Sequence, residues 1–291
     1  MNTIDIWHPG WSTTFAHRVA PLPDESLPGL LLRCDEANHW TSGTTIAHLL
    51  RAMYQHPATN QFNSIAPSAL HLRYLSEVLA VPPHAIVATT YQSEMERLSD
   101  IIYHYPQVHR LLLQAHRSFR LSLCPECVAD SRTLPRSLML PHLMICQKHF
   151  LALQIVCRCG TKLQLFPRTV PPFTCSECNL DWGELPRIKA SSENIDLERQ
   201  ILSYYTLFFS QGTSELLVSV IKRIEVYEME CEKKENLVFN KGKQSKSVSH
   251  LCARGVLVLG DVVSLLVRLK LSLHEIMKDA DFLSSNVPNH G

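Results

Sequence analysis

The sequence lacks any apolar run long enough to cross a membrane. Its longest, Val256 to Leu269, is interrupted by Asp261 and Arg268 and is shorter than the roughly 20 residues that span a bilayer. The first residues, MNTIDIWHPGW, have no basic region followed by an apolar core, as a secretory signal would. We therefore expect a cytoplasmic protein without a membrane span, divided into about two or three domains.

A large excess of charge of one sign is also absent. The formal net charge is +1 for 28 basic and 27 acidic residues, which excludes a protein whose affinity for nucleic acid comes mainly from counterion release. Residues 124–190 carry a mild positive excess, with 8 basic against 5 acidic residues. This bias permits a nucleic-acid contact but does not require one.

Catalytic motifs are missing as well. The sequence contains no H-E-x-x-H, G-x-S-x-G, Walker loop or dinucleotide fingerprint. Ten of its 15 histidines lie in residues 1–123, but no carboxylate is spaced to orient them as metal ligands or bases. Asp35-Glu36 is predicted to be the solvated side of a helix rather than a catalytic pair. We therefore predict a protein that is not an enzyme.

What the sequence does contain is eight potential metal ligands in four close pairs within 55 residues. In order they read C-x2-C-x18-C-x2-H and C-x-C-x15-C-x2-C, and each set supplies the four ligands of a closed structural zinc site. We predict two structural Zn²⁺ ions, the first held by Cys124, Cys127, Cys146 and His149, the second by Cys157, Cys159, Cys175 and Cys178.

Three alternatives to this assignment were weighed. Disulfides are disfavoured in a reducing cytosol. An interleaved pairing is disfavoured because the short connection from His149 to Cys157 would have to span two metals. His142 could replace His149, but C-x2-H places His149 one turn from Cys146. The remaining cysteines, Cys34, Cys231 and Cys252, have no partner at ligand spacing and are expected to be small buried hydrophobic residues.

Outside the cysteine segment, apolar residues recur at helical spacing, so the fold class is predicted to be mainly α. The predicted helices begin with one capped by Asp24 and one capped by Thr41 or Ser42. A capping box at Ser93-x-x-Glu96 opens a later one. We divide the chain into a helical amino-terminal domain (1–120), a tandem zinc-binding segment (121–188) of the ribbon or knuckle kind, and a helical carboxy-terminal region (189–291) with a flexible loop at about 233–249.

The turn Val81-Pro82-Pro83 joins two of the amino-terminal helices and resembles a helix-turn-helix. Its second helix, about Pro83 to Tyr91, would present outward a set of possible partner or DNA contacts: His84, Thr89, Thr90 and Gln92. Any two packed helices joined by a proline turn look the same. A protein contact and a DNA contact therefore both remain open here.

Beyond the second zinc site, the apolar spacing predicts one helix marked by Leu197, Ile201, Tyr205 and Phe208, and another from Leu216 to Tyr227. A last helical pair is predicted at Val256 to Arg268 and Ser272 to Lys278.

Several segments together resemble the TniQ/TnsD family of transposition proteins. They are PLPDESLPGLLLRCDEANHW, the CPEC near residue 124, LPHLMICQKHFLAL, CRCGTKL and the late CSEC. The resemblance covers roughly residues 20 to 185 and implies a target-selection protein with no chemistry of its own.

The resemblance also implies partners. With about 100 residues after the cysteine segment, the chain looks like the short, TniQ-like members of CRISPR-associated transposons. That would make it an adaptor between an RNA-guided effector of the Cascade type, with its guide RNA, and a TnsC-like AAA+ ATPase. Target DNA would be contacted mostly indirectly, and a homodimer is possible. The alternative is direct sequence-specific DNA binding, either as a TnsD-like target selector or as a zinc-dependent transcription regulator.

Overall fold

The computed structural model describes residues 15–52, 69–99, 101, 110–112, 121–167, 169–211, 216–224 and 256–270. Within these ranges the predicted mainly α fold is confirmed. The helices are α1 (Leu27–Ala37), α2 (Thr44–Ala52), α3 (Ala69–Leu79), α4 (Pro83–Val87), α5 (Gln92–Leu98), α6 (Pro125–Ser131), α7 (Ser192–Thr206), α8 (residues 216–224) and α9 (Leu259–Arg268). Two short strands, β1 (Arg110–Leu112) and β2 (Val256–Val258), pair in parallel. None of the described helices is long and apolar enough to cross a membrane.

Helix α1 forms as its apolar spacing predicts, but its cap is different. Leu27, Leu30 and Leu31 are completely buried on one face. The predicted cap, Asp24, lies outside the helix at a φ of 56°. Ser26 caps the helix instead, because its side-chain oxygen accepts a hydrogen bond from Gly29 N–H. The prediction of Asp24 as the cap was wrong by two residues.

Helix α2 is capped from the neighbouring helix rather than by its own chain. The Asp35 carboxylate of α1 accepts hydrogen bonds from Gly43 N–H (2.7 Å) and from both the N–H (2.7 Å) and the hydroxyl (2.6 Å) of Thr45. Asp35 is fully buried, so the prediction that it lies on a solvated face was wrong. Burial raises the pKa of its carboxyl, and the hydrogen bonds from Thr45 and Gly43 partly oppose that rise. Asp35 therefore connects the first two helices through the amino terminus of α2.

Two further helix boundaries differ from the prediction. Helix α5 has no side-chain cap at its N-terminus, so the Ser93 capping box does not form. The segment from Val256 begins as strand β2, and helix α9 starts only at Leu259.

Leu197 of α7 is 45% exposed, whereas Ile201 and Tyr205 are buried as predicted. The 233–249 loop and the 272–278 helix lie outside the described residues.

The hydrophobic cores cross the boundaries of the three predicted segments. Leu32 of α1 packs with residues of the cysteine segment, including Phe173 and Trp182. Met95 and Leu98 of α5 pack with the helices after residue 200. Apolar packing therefore continues across both predicted boundaries, at 120 and at 188.

Candidate metal centres

The first predicted ligand set comes together from a helix end and a tight turn. Cys124 is the N-cap of α6, and Cys127 lies in the first turn of that helix, where the partial positive charge of the helix N-terminus favours a thiolate. Cys146 opens a turn in which its N–H donates to Leu151 C=O (2.9 Å) and its C=O accepts from Phe150 N–H (2.8 Å). His149 lies within this turn. The helix end thus supplies two ligands and the turn the other two.

The second set comes from two turns of similar design. Cys157 N–H donates to Thr161 C=O (2.8 Å), and Gly160 N–H donates back to Cys157 C=O (2.9 Å). Cys175 repeats the arrangement with Leu180 (2.9 Å) and Asn179 (3.1 Å). The left-handed residues that these turns require are Gly160 and Asn179, with φ values of 85° and 57°. Glycine and asparagine adopt this conformation at low cost.

The distances within each set fit a tetrahedral metal. In the first, His149 Nδ1 lies 3.4 Å from the sulfurs of Cys124 and Cys127 and 3.7 Å from that of Cys146. In the second, the sulfur separations are 3.6 Å for Cys157–Cys178 and 3.7 Å for Cys159–Cys175. A tetrahedral zinc with Zn–S bonds of about 2.3 Å places its sulfurs about 3.8 Å apart. A disulfide would need about 2.05 Å. All ligand atoms of a set lie within 4.8 Å of one another.

The chemistry of the donors also calls for a cation. Hydrogen bonds from Cys124 and Cys127 lower the pKa of the Cys146 thiol to about 2. The hydrogen bond between Cys124 and Cys127, in contrast, raises the pKa of the Cys127 thiol. The sulfurs thus cannot all become thiolates together unless a positive charge offsets them. In the second set, hydrogen bonds with Thr161 lower the pKa of Cys159 to about 6. The residues present therefore fit Zn²⁺, which needs deprotonated thiolates.

Asp130, which the sequence analysis did not single out, orients the histidine ligand. Its Oδ2 lies 3.2 Å from His149 Nε2 and also accepts from Lys148 Nζ at 3.2 Å. A carboxylate on Nε2 favours the tautomer in which Nδ1 is free to bind a metal. Lys148, the residue before this ligand, is thus paired with a carboxylate. Asp130 and His149 are 19 residues apart in the sequence. No local spacing therefore indicates that they form a pair.

Two further polar residues attach the centres to the helices. Arg132 makes ion pairs with Glu36 of α1 (2.7 Å) and with Asp181 (2.6 Å), and its guanidinium lies 4.9 Å from the Phe173 ring centre. Buried Glu198 of α7 accepts hydrogen bonds from the N–H groups of Met144 (2.6 Å) and Ile145 (2.8 Å). Arg132 therefore joins the second centre to α1, and Glu198 joins the turn of Cys146 to α7.

Residues weighed as alternative ligands lie elsewhere. His142 Nε2 is 3.0 Å from the carbonyl oxygen of Gly260, so it contacts the start of α9 rather than the first centre. Cys34 is fully buried in the amino-terminal core, as expected of a small hydrophobic residue. Cys231 and Cys252 lie outside the described residues.

The outward contacts predicted for the helix-turn-helix are wrong at two positions. Thr89 and Thr90 are 3% and 1% exposed, and their hydroxyls donate to the carbonyls of Ile86 (2.6 Å) and Val87 (2.8 Å). Helix α4 ends at Val87, four residues before the predicted end at Tyr91, because these hydroxyls bind the last carbonyls of its single turn. Only His84 is exposed, and Gln92 is half-buried.

The helices and the two ligand sets together define a class of protein. It is a helical protein braced by two four-ligand Cys/His centres, each able to hold a metal ion. A family model, TniQ, matches residues 16–153, which include α1 to α6 and the whole first centre. The chain therefore carries a TniQ domain over these residues, which supports a role in selecting targets for transposition. No curated protein matches the sequence significantly.

Proposed function

We propose that this chain is a protein adaptor in transposition. It would dock on an RNA-guided DNA-targeting complex of the Cascade type and present the chosen site to a TnsC-like AAA+ ATPase, which recruits the transposase. The zinc ions of its two centres would be structural. The TniQ domain supports the transposition role, and three features of the described residues support an adaptor rather than a direct DNA reader.

The first and main feature is a concentration of exposed apolar side chains next to the centres. Seven large hydrophobic residues are exposed in the described part of the chain, and all but Leu22 lie between residues 144 and 197: Met144, Phe150, Ile155, Val156, Ile188 and Leu197. Clustered exposed apolar residues are typical of protein-docking surfaces. This concentration is the observation that carries the proposal.

A backbone bridge joins the chain segments of two of these residues. Leu151 pairs with Lys189 in an isolated antiparallel bridge. Ala190 N–H donates to Phe150 C=O (3.0 Å), and Ala152 N–H donates to Ile188 C=O (2.8 Å). Phe150 and Ile188, 45% and 53% exposed, therefore lie on the two sides of one bridge.

The second feature is that several basic side chains of the described residues are engaged in ion pairs within the protein. Arg33, Arg132 and Arg136 all bind carboxylates across the fold. Lys148 and Arg187 do the same at the cysteine segment. Cations used in this way are not available for the many phosphate contacts from which a direct reader gains affinity.

The third feature is the helix-turn-helix region. A recognition helix needs outward side chains along several residues to reach base edges in a groove. Helix α4 has five residues, and two of the four predicted contacts are buried. Its geometry suits packing against α3 better than insertion into a major groove.

The experiment co-expresses the chain with the products of its neighbouring genes and measures co-purification. The variant Phe150→Asp/Ile188→Asp should lose the effector or the ATPase, because charge at these exposed apolar positions opposes apolar docking. Leu22→Asp, at an exposed apolar residue outside the Leu151–Lys189 bridge, is the matched control and should keep both partners. Far-UV circular dichroism and two zincs per chain establish that each variant is folded.

Binding of a defined DNA duplex by the purified chain alone, with an affinity that falls steeply as salt rises, would refute the adaptor proposal. It would favour the TnsD-like selector or a zinc-dependent regulator instead. Light scattering on the same samples tests whether the chain forms a homodimer.

A further inference from the structure

The two centres differ sharply in how far their sulfurs are exposed to solvent. In the first, Cys124, Cys127 and Cys146 are each at most 2% exposed. In the second, Cys157 and Cys175 are buried, but Cys159 and Cys178 are exposed. Gly160, next to Cys159, has open space on its side-chain side, with no atom within 4 Å of a Cβ added there. Small reactants in solvent can therefore reach the second centre and are kept from the first.

Each exposed sulfur also has a buried partner at close range. Cys178 Sγ lies 3.6 Å from Cys157 Sγ, and Cys159 Sγ lies 3.7 Å from Cys175 Sγ. A disulfide needs its sulfurs to approach to about 2.05 Å. The sulfurs of each pair must therefore approach by only about 1.6 Å more to form a disulfide.

We propose that the second centre is a site of reversible thiol oxidation by hydroperoxides, with release of its metal. In the first step the Cys178 thiolate attacks a peroxide oxygen. The O–O bond breaks, Cys178 becomes a sulfenic acid, and the leaving hydroxide takes up a proton to form water. In the second step the Cys157 thiolate attacks the sulfenic sulfur, the S–S bond forms, and the S–O bond breaks to release a second hydroxide.

The two steps balance in atoms and electrons without a further oxidant or reductant. Two thiolates lose two electrons to form one disulfide, and one hydrogen peroxide with two protons is reduced to two waters. The Cys159 and Cys175 pair can follow the same course. A disulfide cannot serve as a pair of thiolate ligands, so the centre that forms it loses two of its four ligands and releases Zn²⁺.

Release of this metal would weaken the packing of the amino-terminal domain. Cys157 and Cys175 belong to the same core as Leu32 of α1, Phe173 and Trp182. Trp182 is fully buried, with its ring 5.8 Å from that of Phe173. Loss of the second metal would loosen this core and the packing of α1 on it, while the first centre stays intact. The inference rests on metal in the second centre and is independent of which partners the adaptor binds.

The test uses the full chain loaded with two zincs and titrated with hydrogen peroxide. A metallochromic indicator measures released zinc, and mass spectrometry of alkylated peptides maps the oxidised cysteines. We expect one zinc released per chain, disulfides confined to Cys157, Cys159, Cys175 and Cys178, and a change in Trp182 fluorescence. Dithiothreitol with added zinc should restore two zincs per chain.

Two variants sharpen the test. Cys178→His keeps four ligands, as in the first centre, but removes one of the two exposed thiolates, so its zinc should be released more slowly and with a disulfide at Cys159 and Cys175 only. Cys34→Ala removes a buried thiol outside both centres and should behave as wild type. If Cys178→His does not hold two zincs, the wild-type disulfide map decides alone.

Release of both zincs at equal rates, release from the first centre before the second, or disulfides in the first centre would overturn the proposal. A purified chain with zinc in the first centre only would overturn it too, and would leave the adaptor function standing.

Discussion

Replacing Asp35 by alanine should destabilise the amino-terminal helices strongly, although the adjacent Glu36→Ala should not. The Asp35 carboxylate accepts three hydrogen bonds at 2.6–2.7 Å from Gly43 and Thr45. Removing it leaves three donors without this acceptor, namely the two N–H groups and the Thr45 hydroxyl, and each unpaired donor costs about 1 kcal/mol or more. The sum is about 3 kcal/mol.

Glu36 provides the matched control because it occupies the next position on the same helix. Its ion pair with Arg132 joins side chains that are 38% and 33% exposed, and such pairs contribute at most about 1 kcal/mol. Arg132 also keeps its second carboxylate, Asp181. Asp35→Asn should fall between the two, since Oδ1 can still accept from Thr45 while the amide nitrogen faces the Gly43 N–H.

Hydrogen exchange measures this effect locally, which suits a protein with several cores and metal centres that need not unfold in one step. A loss of about 3 kcal/mol should speed exchange at the amides of residues 43 to 49 by roughly 100-fold in Asp35→Ala, and by less than about 10-fold in Glu36→Ala. Equal exchange in the two variants would refute the assignment of Asp35 as the cap of α2.

Three further results are expected. Cys175→Ser should remove one zinc of two and unfold the second centre, since a structural zinc contributes on the order of 10 kcal/mol in small sites, whereas Cys34→Ala should keep both; elemental analysis of the purified variants decides. Burial raises the pKa of Glu198 above its ordinary 4.5, so its contribution to stability is present below pH 4.5 and is lost as pH rises through the raised value. Glu198→Gln keeps an oxygen for the two N–H groups and should flatten that part of the dependence of Tm on pH; an unchanged profile would show that this carboxyl does not titrate as described. Gly29→Ala should lower Tm despite alanine's higher helix propensity, because its Cβ would lie 3.0 Å from Leu134 N; a stabilised variant would show that α1 can shift to make room.

Much of the fold could be predicted because the relevant signals are local. The apolar faces of α1 and α3 follow from spacings of three and four residues, and Leu27, Leu31, Leu75 and Leu79 are buried accordingly. The turns that carry the ligands follow from C-x-C-G and C-x2-C, because two thiols so close in sequence can converge only if the chain turns between them. The grouping of the eight ligands into two sets was therefore readable from the sequence.

Helix ends and polar roles were predicted less well, because they depend on partners far away in the chain. Asp35 and Glu36 are chemically alike and adjacent, yet one is fully buried as a cap and the other lies at the surface. Thr89 and Thr90 have the composition of an exposed helix face, but packing buries them.

The sequence by itself determined the helical class, the apolar faces, the two ligand sets and the resemblance to the TniQ family, since each depends on residues within a few positions of one another or on recognisable motifs. Only the tertiary structure decided that Asp130 orients His149 and that Glu198 binds the turn of Cys146. It alone also showed that the second centre exposes Cys159 and Cys178 while the first is closed. The physical reason is that burial and hydrogen bonding across the chain depend on how elements pack together, which no spacing along one element specifies.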